Sequence, residues 1–267
     1  MTVRHWLINP TWRCQNHCSY CWLNGSVRTR PEMMRAQERP LADWVHAIQR
    51  DRIEIVDIAG GEPLLLGWLA GLLDMCPQTV FGLSTNGLDM RALRVLSAQP
   101  HPNLVAINVS YHPDTAQRLP DYDARWQGAV LLLRDMSLPV HCNVVMYPDV
   151  VERSERMLAW MRQKQILHEL SPYEDVGSLG IPQATGLCCQ GGVNHMTVAP
   201  DGSAWPCLST LRSPYAASMC LGNWLDGMID LSRKPQPCHL QCVDYFVLPS
   251  QHSAGDMWRI EAKPCAS

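Results

Sequence analysis

The chain is short of several features that mark out broad protein classes. None of its apolar runs reaches the roughly 18 residues of a membrane span. Its start, Met1-Thr2-Val3-Arg4-His5-Trp6, does not begin a signal peptide. A cytoplasmic chain without a membrane partner is therefore expected. Positive charge is not in excess. Against 22 basic residues stand 25 acidic ones, a formal charge of −3, so no polycationic surface is available to grip a nucleic acid. The first apolar run begins at Val3, so no N-terminal leader-peptide-binding domain is expected ahead of it. What remains is a chain of 267 residues, long enough for one large domain or two small ones.

Cysteine, by contrast, is plentiful. Twelve would suggest disulfides in a secreted chain, but in a reducing compartment their spacing points to metal–sulfur chemistry. Cys14, Cys18 and Cys21 lie in Asn9-Pro10-Thr11-Trp12-Arg13-Cys14-Gln15-Asn16-His17-Cys18-Ser19-Tyr20-Cys21, a C-x3-C-x2-C run after a short apolar strand. Thiolates are preferred ligands of iron–sulfur clusters. Three ligands for a four-iron cube leave one iron open to a small molecule. A zinc site completed by His17 is the competing reading, although structural zinc favours four ligands in C-x2-C pairs.

Two further segments bear on that choice. Ile53–Ile58 reads as a β-branched strand running into Ala59-Gly60-Gly61-Glu62-Pro63, and Thr79-Val80-Phe81-Gly82-Leu83-Ser84-Thr85-Asn86-Gly87 as another ending in small polar residues. Glycines at a strand's C-terminal end let backbone approach a ligand, which is where α/β folds bind small molecules. On that view a β-branched residue at Gly61 would occupy ligand space without disturbing a cluster. The three-cysteine loop, the G-G-E-P and the S-T-N-G, in this order, resemble the radical S-adenosylmethionine (SAM) enzymes. The resemblance implies that the open iron holds the amino and carboxylate groups of SAM. It also implies that Gly60, Gly61, Glu62 and Pro63 hold the methionine amino group and that Ser84, Thr85 and Asn86 border the cofactor. Tyr20 would pack beside the adenine, and Ser110 would touch the carboxylate or ribose.

Strand patterns recur at Val3–Ile8, Ile53–Ile58, Thr79–Ser84, Leu104–Ser110, Val140–Met146 and Ile166–Leu170. Helical stripes fall between them: Leu41, Trp44, Val45 and Ile48; then Trp126, Ala129, Val130 and Leu133, capped by Asp121 or Asp123; then a helix from about Glu152 to Lys164. Six β/α units predict an α/β fold, a parallel sheet with helices outside, and are too few for an eight-fold closed barrel. The resemblance implies the partial (β/α)6 barrel of radical SAM enzymes, over residues 1–176.

Beyond it the texture changes. Pro172, Gly177, Gly180, Pro182 and Gly186 interrupt the chain, and Pro200-Asp201-Gly202 between apolar runs predicts a hairpin that brings Cys189 and Cys207 together. Cys238 and Cys242, one helical turn apart, offer two more thiolates. Residues 177–245 resemble the twitch domain, the half-length SPASM domain, which implies one auxiliary [4Fe–4S] cluster on Cys189, Cys207, Cys238 and Cys242; residues 246–267 form a C-terminal tail. The last pair is C-x3-C where C-x2-C is commoner in the family. Two auxiliary clusters would need roughly seven or eight thiolates, more than the tail supplies. Cys188, Cys220 and Cys265 are alternative ligands, and a zinc-stapled hairpin fits four thiolates equally. Cys76 and Cys142 read as small buried apolar residues.

The resemblance implies a radical SAM oxidoreductase. A reductant such as flavodoxin or ferredoxin reduces the first cluster, SAM is cleaved to a 5′-deoxyadenosyl radical, and hydrogen is taken from substrate. Loss of a proton and a second electron to the auxiliary cluster then completes a dehydrogenation of a small polar metabolite such as a sugar, cyclitol or nucleoside. Catalytic candidates at strand ends are Glu169, Glu174, His112, Tyr111 and Asp175, with Asn143 and Tyr173 nearby. One alternative is crosslinking, epimerisation or decarboxylation of a ribosomally made peptide. Another is a zinc-binding interaction module, which leaves the glycine and S-T-N-G strand ends unexplained.

Overall fold

The structure, a computed structural model, describes residues 3–27, 30–34, 37–136, 140–146, 150–172, 187–189, 191–213, 216–231, 236–237, 245–249, 257–259 and 263–264. The six expected strands are present as β1 (His5–Ile8), β2 (Ile55–Ile58), β3 (Val80–Thr85), β4 (Leu104–Tyr111), β5 (Val140–Met146) and β6 (Leu167–Pro172). They pair in sequence order, all parallel, with helices in the connections. The result is an open, mostly parallel partial barrel.

The helices are α1 (Trp22–Ser26), α2 (Pro31–Met34), α3 (Leu41–Asp51), α4 (Leu69–Met75), α5 (Met90–Ser97), α6 (Pro113–Arg118), α7 (Tyr122–Asp135) and α8 (Val151–Gln163). Three of them show the expected stripes: Trp44, Val45 and Ile48 are buried on α3, Trp126, Ala129, Val130 and Leu133 on α7, and Met157, Leu158 and Met161 on α8. Asp121 takes the N-cap position of α7 without a side-chain cap bond, and Asp123 instead accepts from the Tyr111 hydroxyl at 2.7 Å.

Past residue 187 come β7 (Leu187–Cys189), β8 (His195–Val198), β9 (Ser203–Trp205), α9 (Leu208–Arg212), α10 (Ala216–Met219) and β10 (Gly222–Asn223). The Pro200-Asp201-Gly202 hairpin forms between β8 and β9 as expected, with Val198 opposite Ala204. Its place in the sheet was not legible in the sequence. β8 pairs parallel with β1, His5 opposite His195 and Ile8 opposite Val198, so one sheet runs across the expected boundary at 176/177. The physical reason is the bare edge of β1, whose backbone donors and acceptors the wholly buried β8 satisfies. Trp224 follows into the main core, edge-on to Trp6 with ring centroids 6.3 Å apart, and its indole N–H donates to Asp51 at 2.7 Å.

The remaining strands are β11 (Gln236–Pro237), β12 (Tyr245–Pro249), β13 (Met257–Arg259) and β14 (Lys263–Pro264). β11 and β14 flank β7 on either side, with Pro237 and Lys263 both registering with Cys188, and β12 pairs with β13.

Candidate active site

β1 leads straight into the three-cysteine loop, and the end of β2 holds that loop down. The Gly61 N–H donates to the Thr11 carbonyl at 2.8 Å and the Glu62 N–H to the Arg13 carbonyl at 2.7 Å. Neither glycine leaves open space for a ligand on its side-chain side. A Cβ on Gly60 would lie 2.7 Å from the Thr11 carbonyl oxygen, and one on Gly61 would lie 2.7 Å from the Trp12 carbonyl carbon. Gly60 also has φ +107°, which an L side chain rarely adopts. The close approach predicted at this strand end is therefore made by the cysteine loop itself.

Glu62 is sealed in the interior. Its carboxylate accepts from the Leu64 N–H at 3.0 Å, the Thr85 hydroxyl at 2.7 Å and the Asn86 N–H at 2.7 Å. Burial nevertheless pushes its pKa up to about 7. Pro63 opens a buried 3₁₀ turn beside it. Glu62 and Thr85 thus tie the end of β2 to the end of β3, while Asn86 turns its side chain toward the cysteine loop. The Asn86 amide N–H donates to Cys14 Sγ at 3.7 Å, and its Oδ1 accepts from Gln15 Nε2 at 3.1 Å.

The far side of the loop rests on α6. The Ser19 N–H donates to Asp114 at 2.8 Å, Arg118 donates to the His17 carbonyl at 2.9 Å, and Cys18 Sγ lies 3.7 Å from the Thr115 hydroxyl. Tyr20 stacks on His112, its hydroxyl 3.1 Å from Nδ1. Burial lowers the His112 pKa to about 4, so the ring is neutral near pH 7. On the remaining side Arg13 forms a two-pronged ion pair with Glu38 at 2.8 Å per prong, and the Thr11 hydroxyl also donates to Glu38.

Strand residues alternate faces. Trp6, Ile8, Val56 and Ile58 belong to the core beneath the helices, so the intervening residues face the barrel lumen. Register carries that face across the sheet: Thr197 pairs with Leu7, Leu7 with Asp57 and Asp57 with Gly82. Higher up, Ser84 pairs with Asn108 and Asn108 with His141, then Ser110 with Asn143 and Asn143 with Glu169. This polar lumen was only partly expected. Ser84, Ser110, Asn143 and Glu169 had been singled out, but Asp57, Asn108, His141 and Thr197 had not; reading alternate positions on each strand would have found them. His5 donates to or accepts from Asp57 at 2.7 Å. Buried atoms with no hydrogen-bond partner in the described structure include Asp57 Oδ1, Asn108 Oδ1, Asn143 Oδ1 and Thr197 Oγ1. Burial raises the Glu169 pKa and lowers that of His141.

Two expected catalytic residues stand elsewhere. Tyr111 is fully buried on the helix side, against Tyr122 and Trp126 with its hydroxyl on Asp123, because its position on β4 has odd parity relative to Ser110. The His112 ring stacks on Tyr20 with Nδ1 3.1 Å from its hydroxyl, while the His112 backbone N–H donates to the Tyr122 hydroxyl at 2.9 Å. Tyr173, Glu174 and Asp175 lie outside the described residues, as do Cys238, Cys242 and Cys265. Cys189 lies in β7, Cys207 is buried at the N-cap of α9, and Cys220 is exposed.

The residues of the N-terminal loop fit an iron–sulfur cluster. Cys14, Cys18 and Cys21 are not joined in disulfides. Burial pushes the Cys14 thiol up to about 11 and that of Cys18 further, a cost that a ligated cation offsets. Asn16, also buried in the loop, has an amide whose nitrogen and oxygen both meet no partner in the described structure. Among the described residues no three His, Cys, Asp or Glu side chains converge on a single-ion site.

The sequence matches the Radical SAM superfamily over residues 8–161. No curated protein is similar enough to match. Among solved structures, native anSMEcpe with bound AdoMet and Kp18Cys peptide superposes with a TM-score of 0.59 at 16% identity, covering 83% of this chain and 78% of that one. Streptococcus suis SuiB bound to S-adenosylmethionine gives 0.53 at 14% identity, covering 85% and 64%. At such identities the likeness establishes the fold. The family match spans more than half of the chain, from the cysteine loop through the strand ends that hold it, and the protein belongs to the radical SAM superfamily, enzymes that use S-adenosylmethionine with a [4Fe–4S] cluster.

Proposed function

We propose that the protein is an oxidoreductase that dehydrogenates a small polar metabolite in biosynthesis. Cys14, Cys18 and Cys21 would hold the SAM-binding cluster, and Cys189, Cys207, Cys238 and Cys242 an auxiliary [4Fe–4S] cluster in a twitch-like region spanning residues 177–245. Bound in place, SAM with the first cluster supplies a hydrogen-abstracting radical, and the second cluster supplies an electron sink. Ser84 and Ser110 are the expected cofactor contacts that face the lumen.

The observation that carries this reading is the lumen wall. It presents hydroxyl, amide, imidazole and carboxylate groups from five adjacent strands, and among the described residues of that face there is no Lys or Arg. Such a wall suits a neutral or amine-bearing substrate with several hydroxyls, and is poorly matched to a phosphorylated one. Asn108 and Asn143 would orient the substrate through their unpartnered oxygens. Glu169, at the upper end of the row, takes the proton that must leave with the second electron; its raised pKa suits that task. Cys188, Cys220 and Cys265 are the alternatives if one of the four C-terminal thiolates is not used.

Peptide modification is the second reading, favoured by the peptide bound to anSMEcpe in a structure of the same fold. The deciding experiment incubates reconstituted, reduced enzyme and SAM with either low-molecular-weight polyols and amino sugars or short peptides. A product two hydrogens lighter from the first group, with deuterium passing from substrate into 5′-deoxyadenosine, supports dehydrogenation. Turnover of peptides alone would replace it with the second reading.

A further inference from the structure

Asn86 was expected to border SAM, yet its side chain is committed to the cysteine loop. Its amide is locked. Oδ1 accepts from the Leu88 backbone N–H at 2.9 Å and from Gln15 Nε2 at 3.1 Å, and a main-chain N–H can only donate. That settles which end of the amide is which. Nδ2 must then be the atom 3.7 Å from Cys14 Sγ, as a donor. The residue is 4% exposed, and its own N–H is held by Glu62 at 2.7 Å, so neither backbone nor side chain is free to swing away.

We propose that Asn86 is a positioning residue that raises the reduction potential of the N-terminal cluster through its side-chain N–H···S contact to Cys14, which adds to the backbone hydrogen bond that Cys14 receives from Asn16. A donor aimed at a ligating sulfur favours whichever cluster state carries more negative charge on sulfur, the reduced one, and so raises the potential. In this chain the S-T-N-G turn at the end of β3 would therefore act on iron, with Gln15 and Leu88 serving to aim the amide.

The test is a redox titration of the full-length, reconstituted protein, following the electron paramagnetic resonance signal that changes when SAM is added. Asn86→Ala removes the donor. Asn86→Asp keeps an acceptor for Leu88 and Gln15 but sets negative charge beside sulfur. A hydrogen bond to a charged group contributes about 1.5 kcal/mol. At a fixed potential the reduced fraction relative to the oxidised should therefore fall about tenfold in Asn86→Ala, equivalent to about 59 mV for a one-electron couple. It should fall further in Asn86→Asp. An unaltered potential in either cluster-loaded variant overturns the proposal, as does an unaltered potential with weakened SAM binding. Loss of the cluster from both variants overturns it as well, since the amide would then be a structural support.

Discussion

Gly61→Ala isolates how the cysteine loop is seated. The added Cβ would lie 2.7 Å from the carbonyl carbons of both Trp12 and Arg13, and closer still to the Arg13 oxygen, where 3.4–4 Å is ordinary contact. All three neighbours are backbone, so no rotamer change relieves the clash. The loop must lift by roughly an ångström, which breaks the Gly61–Thr11 and Glu62–Arg13 hydrogen bonds of 2.8 and 2.7 Å. Two such bonds contribute about 1 kcal/mol each, and overpacking costs about 1–3 kcal/mol. The sum is a destabilisation of about 3–5 kcal/mol, or roughly 10 °C in Tm for a chain of this size. The lifted loop carries Cys14, so cluster loading should fail together with SAM binding. This reverses the expectation that a side chain here would block SAM and spare the cluster. Thermal unfolding with iron and sulfide analysis after anaerobic reconstitution reads both effects. Wild-type Tm and iron content in Gly61→Ala would refute the seating role of the glycine pair.

Wild-type protein should hold about eight iron and eight sulfide per chain, and replacing Cys14, Cys18 and Cys21 by Ala should halve both and abolish 5′-deoxyadenosine formation. A Cys238→Ala/Cys242→Ala variant should still cleave SAM but release little oxidised product, as followed by mass spectrometry; full product yield without the second cluster would exclude its role as electron sink. Glu169→Gln should slow oxidation without slowing uncoupled SAM cleavage. In the wild type, oxidation should fall as pH drops through a Glu169 pKa held above the ordinary carboxylate range by burial, because the base must be ionised to accept the proton. Glu62, with its pKa raised from 4.5 to about 7, binds a proton in the folded state that the unfolded chain releases. Its stabilising contribution is complete below pH 4.5 and is lost as pH rises through about 7, at up to about 1.4 kcal/mol per pH unit. Denaturant unfolding at several pH values should show this slope, and Glu62→Gln should remove it.

Much of the fold, and the loop in which the first cluster is proposed to sit, was legible in the sequence, because both are written in local patterns. β-branched runs ending in glycine or small polar residues marked the strands, and period-3.6 stripes such as Trp44, Val45 and Ile48 marked the helices. Three cysteines within eight residues are a local pattern that points to metal–sulfur chemistry in a reducing compartment. Side-chain direction was less accessible. Ser110 and Tyr111 are neighbours on β4, yet one faces the lumen and the other the helices, since each step along a strand reverses the face. Element order, and the three closely spaced cysteines proposed as ligands, can be read along the chain. Three features emerge only on folding: β8 closes onto β1, Gly60 and Gly61 make room for backbone, and Asn86 turns its amide to Cys14. Each of these joins segments far apart in the chain, and such contacts depend on register and packing that no local pattern encodes.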